Sequence, residues 1–178
     1  MKPSRFRLVA ILAGVAALAG CATPPPPDPA AEVPHCYRSS RGRVIACTSA
    51  PAPSLNADAE AKRFAPDPSR LTVYVVRRNW GDGSGFVNVY PDGGPGIETV
   101  PRAMVRLKFA PGEHSIALEY GGKRQTTRVE GKAGDLRFLR FSGTAWTWGG
   151  TYEWVEEPEA STRALALRTR LVADVDVR

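Results

Sequence analysis

Apolar and polar residues alternate with a period of two along most of the chain beyond residue 70. This alternation is typical of β-strands that bury one face and expose the other. Segments rich in glycine separate the alternating runs. The pattern predicts seven main strands, which are 70–77, 86–90, 103–109, 113–120, 124–130, 136–141 and 168–177.

Turn residues mark the boundaries between these predicted strands. Fourteen of the 17 glycines lie between residues 81 and 150. The pair Gly121-Gly122 suits the two-residue turn of a hairpin, because glycine adopts the positive φ that such turns require. The strand that follows this turn, 124–130, is polar, which predicts a position at the edge of a sheet.

Two short helices are predicted beside the strands. One covers residues 57–64, with Asn56 as its N-cap, and the other covers residues 156–167. Many short strands with regular turn signals favour an all-β fold. We predict an antiparallel β-sandwich of the immunoglobulin or transthyretin type, with one or two short helices, over residues 57–178.

The first 20 residues have a different pattern, in which basic residues precede an apolar run over 8–18. The run is shorter than the roughly 20 residues that a membrane-spanning helix needs, and it is typical of a secretory signal. It ends in Leu18-Ala19-Gly20-Cys21, which resembles the lipobox of bacterial lipoproteins. This resemblance implies removal of residues 1–20 and attachment of lipid to Cys21. The alternative is a plain signal peptide followed by an incidental cysteine.

The formal net charge of +6 first suggests a nucleic-acid partner, but the signal carries half of it. Lys2, Arg5 and Arg7 belong to residues 1–20, which contain no acidic residue. Without them, 21 basic residues face 18 acidic ones. The remaining basic residues stand singly along the strands and predict no compact patch, so we expect no nucleic-acid partner.

Residues 22–56 contain eight of the 16 prolines. Such a composition predicts an extended spacer, so we expect residues 21–56 to form a disordered Pro-rich tether. Cys36 and Cys47 lie 11 residues apart within it. In an oxidising periplasm they are expected to form a disulfide that closes a small loop. The alternative is a metal site with His35, which lacks a fourth nearby ligand, and we predict neither a metal nor a cofactor.

Three of the four tryptophans lie within nine residues. If the loop is 149–151, then Trp146, Trp148, Tyr152 and Trp154 share one face and form a candidate binding platform for sugar rings or a partner. With a two-residue turn that sets Trp148 opposite residue 151, the aromatic residues divide between two faces. The other interpretation is a core cluster that covers one end of the sandwich.

Other polar residues suggest no catalytic site. Glu153, Glu156 and Glu157 would suit a glycoside hydrolase only if two of them faced each other across a cleft. A solvated run of charge is the simpler interpretation. His114 follows a Pro-Gly turn, and we expect it to be a strand-end residue hydrogen-bonded to a loop. We therefore predict no catalytic residues and no enzyme activity.

Five short segments together resemble the uncharacterised bacterial lipoprotein family known as domain of unknown function 2846. They are Phe64-Ala65-Pro66, Leu71–Arg77, Val89–Gly93, Phe109–His114 and Lys132–Phe138. The resemblance covers roughly residues 57–177 and implies a lipobox joined to a β-sandwich. Pro91 departs from the pattern of the family. No activity is established for that family, so it contributes no functional residue.

These observations predict an outer-membrane-anchored periplasmic lipoprotein with a non-catalytic binding or envelope-structural role. Ala22 follows Cys21, whereas lipoproteins of enteric type that stay in the inner membrane have Asp there. The expected partners are the membrane, through the lipid anchor, and envelope proteins or peptidoglycan. The alternative is a module that binds cell wall or polysaccharide through the Trp146–Trp154 hairpin, with or without hydrolytic activity.

Overall fold

The computed structural model describes residues 26–78, 85–146 and 149–178. The predicted signal, Cys21, the glycine-rich segment 81–84 and Trp148 lie outside these ranges. None of the described helices is long and apolar enough to cross a membrane. Within the described residues the elements are β1 (Cys36–Arg38), β2 (Val44–Cys47), α1 (Leu55–Ala61), β3 (Leu71–Arg77), β4 (Val87–Pro91), β5 (Ile97–Thr99), β6 (Ala103–Phe109), β7 (Gly112–Tyr120), β8 (Lys123–Gly131), β9 (Leu136–Trp146), β10 (Gly149–Val155), α2 (Glu159–Ala166) and β11 (Arg170–Asp176).

The strands form two main sheets and one small hairpin. A five-stranded sheet has the order β10-β9-β3-β6-β11, and a four-stranded sheet has the order β5-β4-β7-β8. The hairpin of β1 and β2 is separate from both. The predicted all-β sandwich is confirmed. Most strand pairs are antiparallel, and the larger sheet also contains two parallel pairs, β3 with β9 and β6 with β11.

Period-two alternation places one apolar face of each sheet in the interior. Val73 and Val75 of β3 and Leu107 of β6 face the four-stranded sheet, where Val89 and Ile116 meet them in the same buried cluster. All five side chains are at most 1% exposed. Burial of each such side chain stabilises the fold by about 1.5–3 kcal/mol. This cluster is the main core of the sandwich.

A second apolar cluster covers the outer face of the five-stranded sheet. Phe64, Tyr74 and Phe138 pack with ring centroids 5.0–5.1 Å apart, and α1 and α2 contribute Ala61 and Ala166 to the same cluster. The Tyr74 hydroxyl donates to the Ala61 carbonyl at 2.9 Å, and burial raises the pKa of this hydroxyl. Because apolar layers cover both sides of β3, every residue of this strand is buried.

Local turn and capping signals agree with the structure in most places. Gly121 and Gly122 both adopt positive φ and close the hairpin between β7 and β8, as predicted. The polar strand β8 lies at the edge of its sheet, also as predicted. Helix α1 begins two residues before the predicted start. Its N-cap is Ser54, whose Oγ accepts a hydrogen bond from the Ala57 N–H, and Asn56 lies inside the helix instead.

The later part of the predicted tether packs against the sandwich. Ala46 is 6% exposed and belongs to the main core, and Ala52 is 1% exposed. The Ser49 N–H donates to the Glu98 carboxylate at 2.8 Å. These contacts tie residues 33–56 to the sandwich, so the extended spacer predicted from proline content does not include them. The domain boundary that we predicted at residue 57 therefore lies nearer the N-terminus.

Candidate functional site

The predicted disulfide is confirmed. Cys36 and Cys47 are bonded and lie opposite each other in the β1–β2 hairpin, with their Cα atoms 3.9 Å apart. Both sulfur atoms are therefore occupied and unavailable as thiolate ligands. The alternative metal site with His35 is wrong for this reason.

The aromatic hairpin has a register that neither of our two alternatives predicted. Strand β10 pairs with β9 so that Gly149 lies opposite Trp146, Tyr152 opposite Gly143, and Trp154 opposite Phe141. Residues 149–151 therefore belong to strand β10 and are not the loop between the strands. A platform that needs Trp146 opposite Trp154 and Trp148 opposite Tyr152 does not form.

The two candidate platform residues whose side chains are described lie against the core. Tyr152 is 6% exposed and belongs to the main core, and Trp154 is half-buried against it. The Trp154 ring lies 6.0 Å from that of Phe141, edge to face. Between them on the same strand, Glu153 is exposed. The core interpretation is correct for Tyr152 and Trp154, because Tyr152 belongs to the main core and Trp154 packs against it.

Arg77 is a buried cation that our sequence analysis did not single out. The side chain is 0% exposed. Its Nη1 donates to the Thr99 carbonyl at 2.6 Å, and Nη2 donates to the Gly85 carbonyl at 2.7 Å and to the Tyr152 hydroxyl at 2.8 Å. Arg77 thus connects the two sheets. The sequence did contain a signal for this burial. Residue 77 follows Val73 and Val75 at every second position of β3, so its side chain points to the same inner face.

His114 has the structural role that we predicted. Its Nδ1 lies 2.7 Å from the Asp92 carboxylate, and its Nε2 lies 2.8 Å from the Ala110 carbonyl. The ring also stacks on Phe109, with centroids 4.3 Å apart. Both ring nitrogens are therefore occupied by the loops at the start of β7.

Basic side chains surround a concavity of about 380 Å³ beside the hairpin. Hairpin strand β1, the end of α1, the turn before β6 and the segment between α2 and β11 meet there. We call this concavity the basic groove and define it by His35, Arg38, Lys62, Arg102, Arg168 and Arg170. Our prediction that the basic residues form no compact patch is wrong at this place, because the fold brings separate segments together.

Asp58 compensates only part of the positive charge of the basic groove. Its carboxylate lies 2.7 Å from Lys62 Nζ and 3.3 Å from Arg170 Nη1, and it also accepts the Leu171 N–H at 2.7 Å. Arg102 and Arg168 are exposed and form no ion pair with any acidic side chain in the described ranges. The groove therefore retains net positive charge.

The imidazole of His35 adds polarity rather than charge at neutral pH. Burial lowers the pKa of this group, and the nearby Arg170 guanidinium lowers it further. The backbone N–H of His35 is fixed by the Thr48 hydroxyl at 3.0 Å. The positive charge of the groove therefore comes from its arginines and Lys62, whose side chains suit an anion with several oxygen atoms.

The residues of the basic groove are far apart in the chain, from residue 35 to residue 170. No local motif joins them, which explains why sequence analysis missed the groove. No protein-family model matches this chain, and no curated protein matches it either.

Proposed function

We propose that this protein is a lipoprotein anchored in the bacterial outer membrane, with its sandwich in the periplasm in a non-catalytic binding or structural role. The observation that carries the proposal is the lipobox-like Leu18-Ala19-Gly20-Cys21 after a basic and then apolar segment. The Cys36–Cys47 disulfide supports export, because such bonds persist in oxidising compartments.

The anchor and the sandwich are close together in this proposal. The Pro29 carbonyl accepts a hydrogen bond from the Asn56 N–H at 3.1 Å, at the start of α1. Only the seven residues Ala22–Asp28 separate Cys21 from Pro29. A chain of this length reaches about 30 Å at most. The sandwich would therefore lie near the bilayer surface rather than on a long spacer.

A binding or structural role is supported by the partners of the polar groups that suggested chemistry. The ring nitrogens of His114 are both used within the fold. Glu157 contacts the Arg140 guanidinium and accepts a hydrogen bond from the Thr162 hydroxyl at 2.6 Å. The polysaccharide-binding alternative loses support, because Tyr152 is part of the core.

Replacement of the lipobox cysteine tests the anchor directly. In cells that express Cys21→Ser, the protein should leave the membrane fraction and should no longer incorporate an alkyne-labelled fatty acid. The double variant Cys36→Ser/Cys47→Ser is the control, since it removes the two disulfide-bonded cysteines but keeps the lipobox. Wild-type protein should appear in the outer-membrane band of a density gradient. A Cys21→Ser protein that still incorporates the labelled fatty acid would overturn the proposal.

A further inference from the structure

We propose that the basic groove binds the phosphate group of an anionic phospholipid in the bilayer that holds the lipid anchor. This inference names a partner for the proposed function and partly rests on it. The groove has the volume of a small-ligand site, since about 300–1,000 Å³ is usual for such sites. Its cations come from several elements and surround one concavity.

The charge distribution of the groove favours an anion over other ligands. No acidic side chain is among the residues that line it in the described part of the chain. Two larger concavities in the described part of the chain differ from the basic groove, because carboxylates line them. Glu98 lines one of them and Glu60 lines the other. Arg102 and Arg168 are exposed and have no acidic partner among the described residues. A guanidinium presents its N–H groups as a fork that matches two phosphate oxygens.

The path of the chain points to the bilayer as the source of the phosphate. A second concavity, lined by Pro27, Val33 and Leu55 among others, shares His35 and Arg170 with the basic groove. The chain from the anchor enters the fold at this second concavity. With about 30 Å of chain at most between Cys21 and Pro29, the basic groove stays within reach of the headgroup layer.

The surface beside the groove also presents exposed apolar side chains. Val33 is 58% exposed and Leu55 is 42% exposed, and both line the second concavity together with the shared residues His35 and Arg170 and one acidic residue, Asp28. Exposed apolar side chains beside clustered cations are the pattern by which proteins bind the interface of anionic membranes. A phosphate dissolved in the periplasm would make no use of the apolar neighbours.

The test is a titration of the purified full-length protein in a neutral maltoside detergent. The ligands are dihexanoyl-phosphatidylglycerol, zwitterionic dihexanoyl-phosphatidylcholine and inorganic phosphate, with calorimetry as the readout. Arg102→Gln/Arg168→Gln removes two cations of the groove. The matched control, Arg124→Gln/Arg128→Gln, removes the same charge from edge strand β8, outside the groove. Arg168→Glu is a second variant, and thermal unfolding establishes that each protein is folded.

We expect the phosphatidylglycerol analogue to bind wild type and the β8 control equally. Its affinity for Arg102→Gln/Arg168→Gln should be about 30-fold lower, from two lost cations near an anionic headgroup. The zwitterionic analogue should bind more weakly than the anionic one, and higher salt should weaken the anionic complex. Equal affinity for inorganic phosphate would overturn the bilayer as the source. An equal loss in the β8 control, or no binding by wild type, would overturn the site itself.

This titration is independent of acylation, because the groove is present whether or not Cys21 carries lipid. Failure of the groove would leave the fractionation result for Cys21→Ser unchanged. Conversely, if Cys21 carries no lipid, the groove remains an anion site, and its ligand then comes from solution. The two proposals therefore fail in distinguishable ways.

Discussion

The Tyr152 ring lies against the bare backbone of Gly143, its partner in the ladder between β9 and β10. A Cβ atom on residue 143 would come within 2.4 Å of Tyr152 Cε1. No side chain fits at that distance, so residue 143 must be glycine for the ring to remain in place. The ring position in turn brings the Tyr152 hydroxyl within 2.8 Å of Arg77 Nη2.

Gly143→Ala should lower the free energy of unfolding by about 1–3 kcal/mol, because the new methyl group overpacks a filled site. Chemical denaturation measures the change. In a Tyr152→Ala background the same substitution should cost much less, since the obstructing ring is gone. An equal cost in both backgrounds would show that the methyl group clashes with something other than this ring.

Tyr152→Phe should destabilise the fold by about 1–3 kcal/mol, because the buried Arg77 guanidinium loses one of its hydrogen-bond acceptors. Urea denaturation provides the measurement. Tyr120→Phe is the matched control, as its ring packs 4.7 Å from that of Tyr152 and it also loses only a hydroxyl. Similar losses for the two variants would argue against a special contribution of the Arg77 contact.

Opening the Cys36–Cys47 disulfide should destabilise the whole sandwich. The loop-entropy estimate for so short a loop is about 3 kcal/mol. Because Ala46 lies in the main core, the loss should appear in global unfolding rather than only in local loosening of the hairpin. Thermal unfolding with and without dithiothreitol measures it. Cys36→Ala/Cys47→Ala should melt at the lower temperature in both conditions, and unchanged melting of the wild type on reduction would contradict the prediction.

Ala46→Asp should also destabilise the fold strongly, since it places a carboxylate in the core without a partner of its own. Val44→Thr, two residues earlier on β2, is the control, because Val44 is 43% exposed. Thermal unfolding of the two variants separates a packed hairpin from a free tether. A tether would tolerate both substitutions equally.

Acid should remove a stabilising contribution from Asp92. Burial raises the pKa of this carboxyl, but the Ser115 N–H at 2.8 Å and the His114 ring outweigh burial and hold the pKa below its usual value. The contribution is therefore complete above about pH 4 and is lost as pH falls through the lowered pKa.

Asp92→Asn should reduce the fall in melting temperature between about pH 5 and pH 2, because the substituted side chain no longer takes up a proton. Asparagine tolerates the positive φ of 47° at this residue, so the backbone is not strained further. Asp176→Asn, at the exposed end of β11, is the control. Identical acid profiles for wild type and Asp92→Asn would refute the assignment.

The sequence alone was sufficient for most local features. Period-two alternation located the main strands, because side chains in a strand point alternately to opposite faces. The glycine pair at 121 and 122 located a hairpin, since positive φ is a local requirement. The Cys36–Cys47 pairing followed from two nearby cysteines and a predicted export signal. Each of these features depends on residues close together in the chain.

The tertiary structure decided the features that depend on distant segments. Alternation defines the faces of a strand but not its neighbour, so it could not indicate that β3 and β9, or β6 and β11, pair in parallel. Proline content suggested a tether, yet Ala46 and Ala52 find buried places that only the folded sandwich provides. The basic groove also depends on tertiary packing. Its cations come from residues between 35 and 170, and they lie together only after the sheets, helices and hairpin have packed.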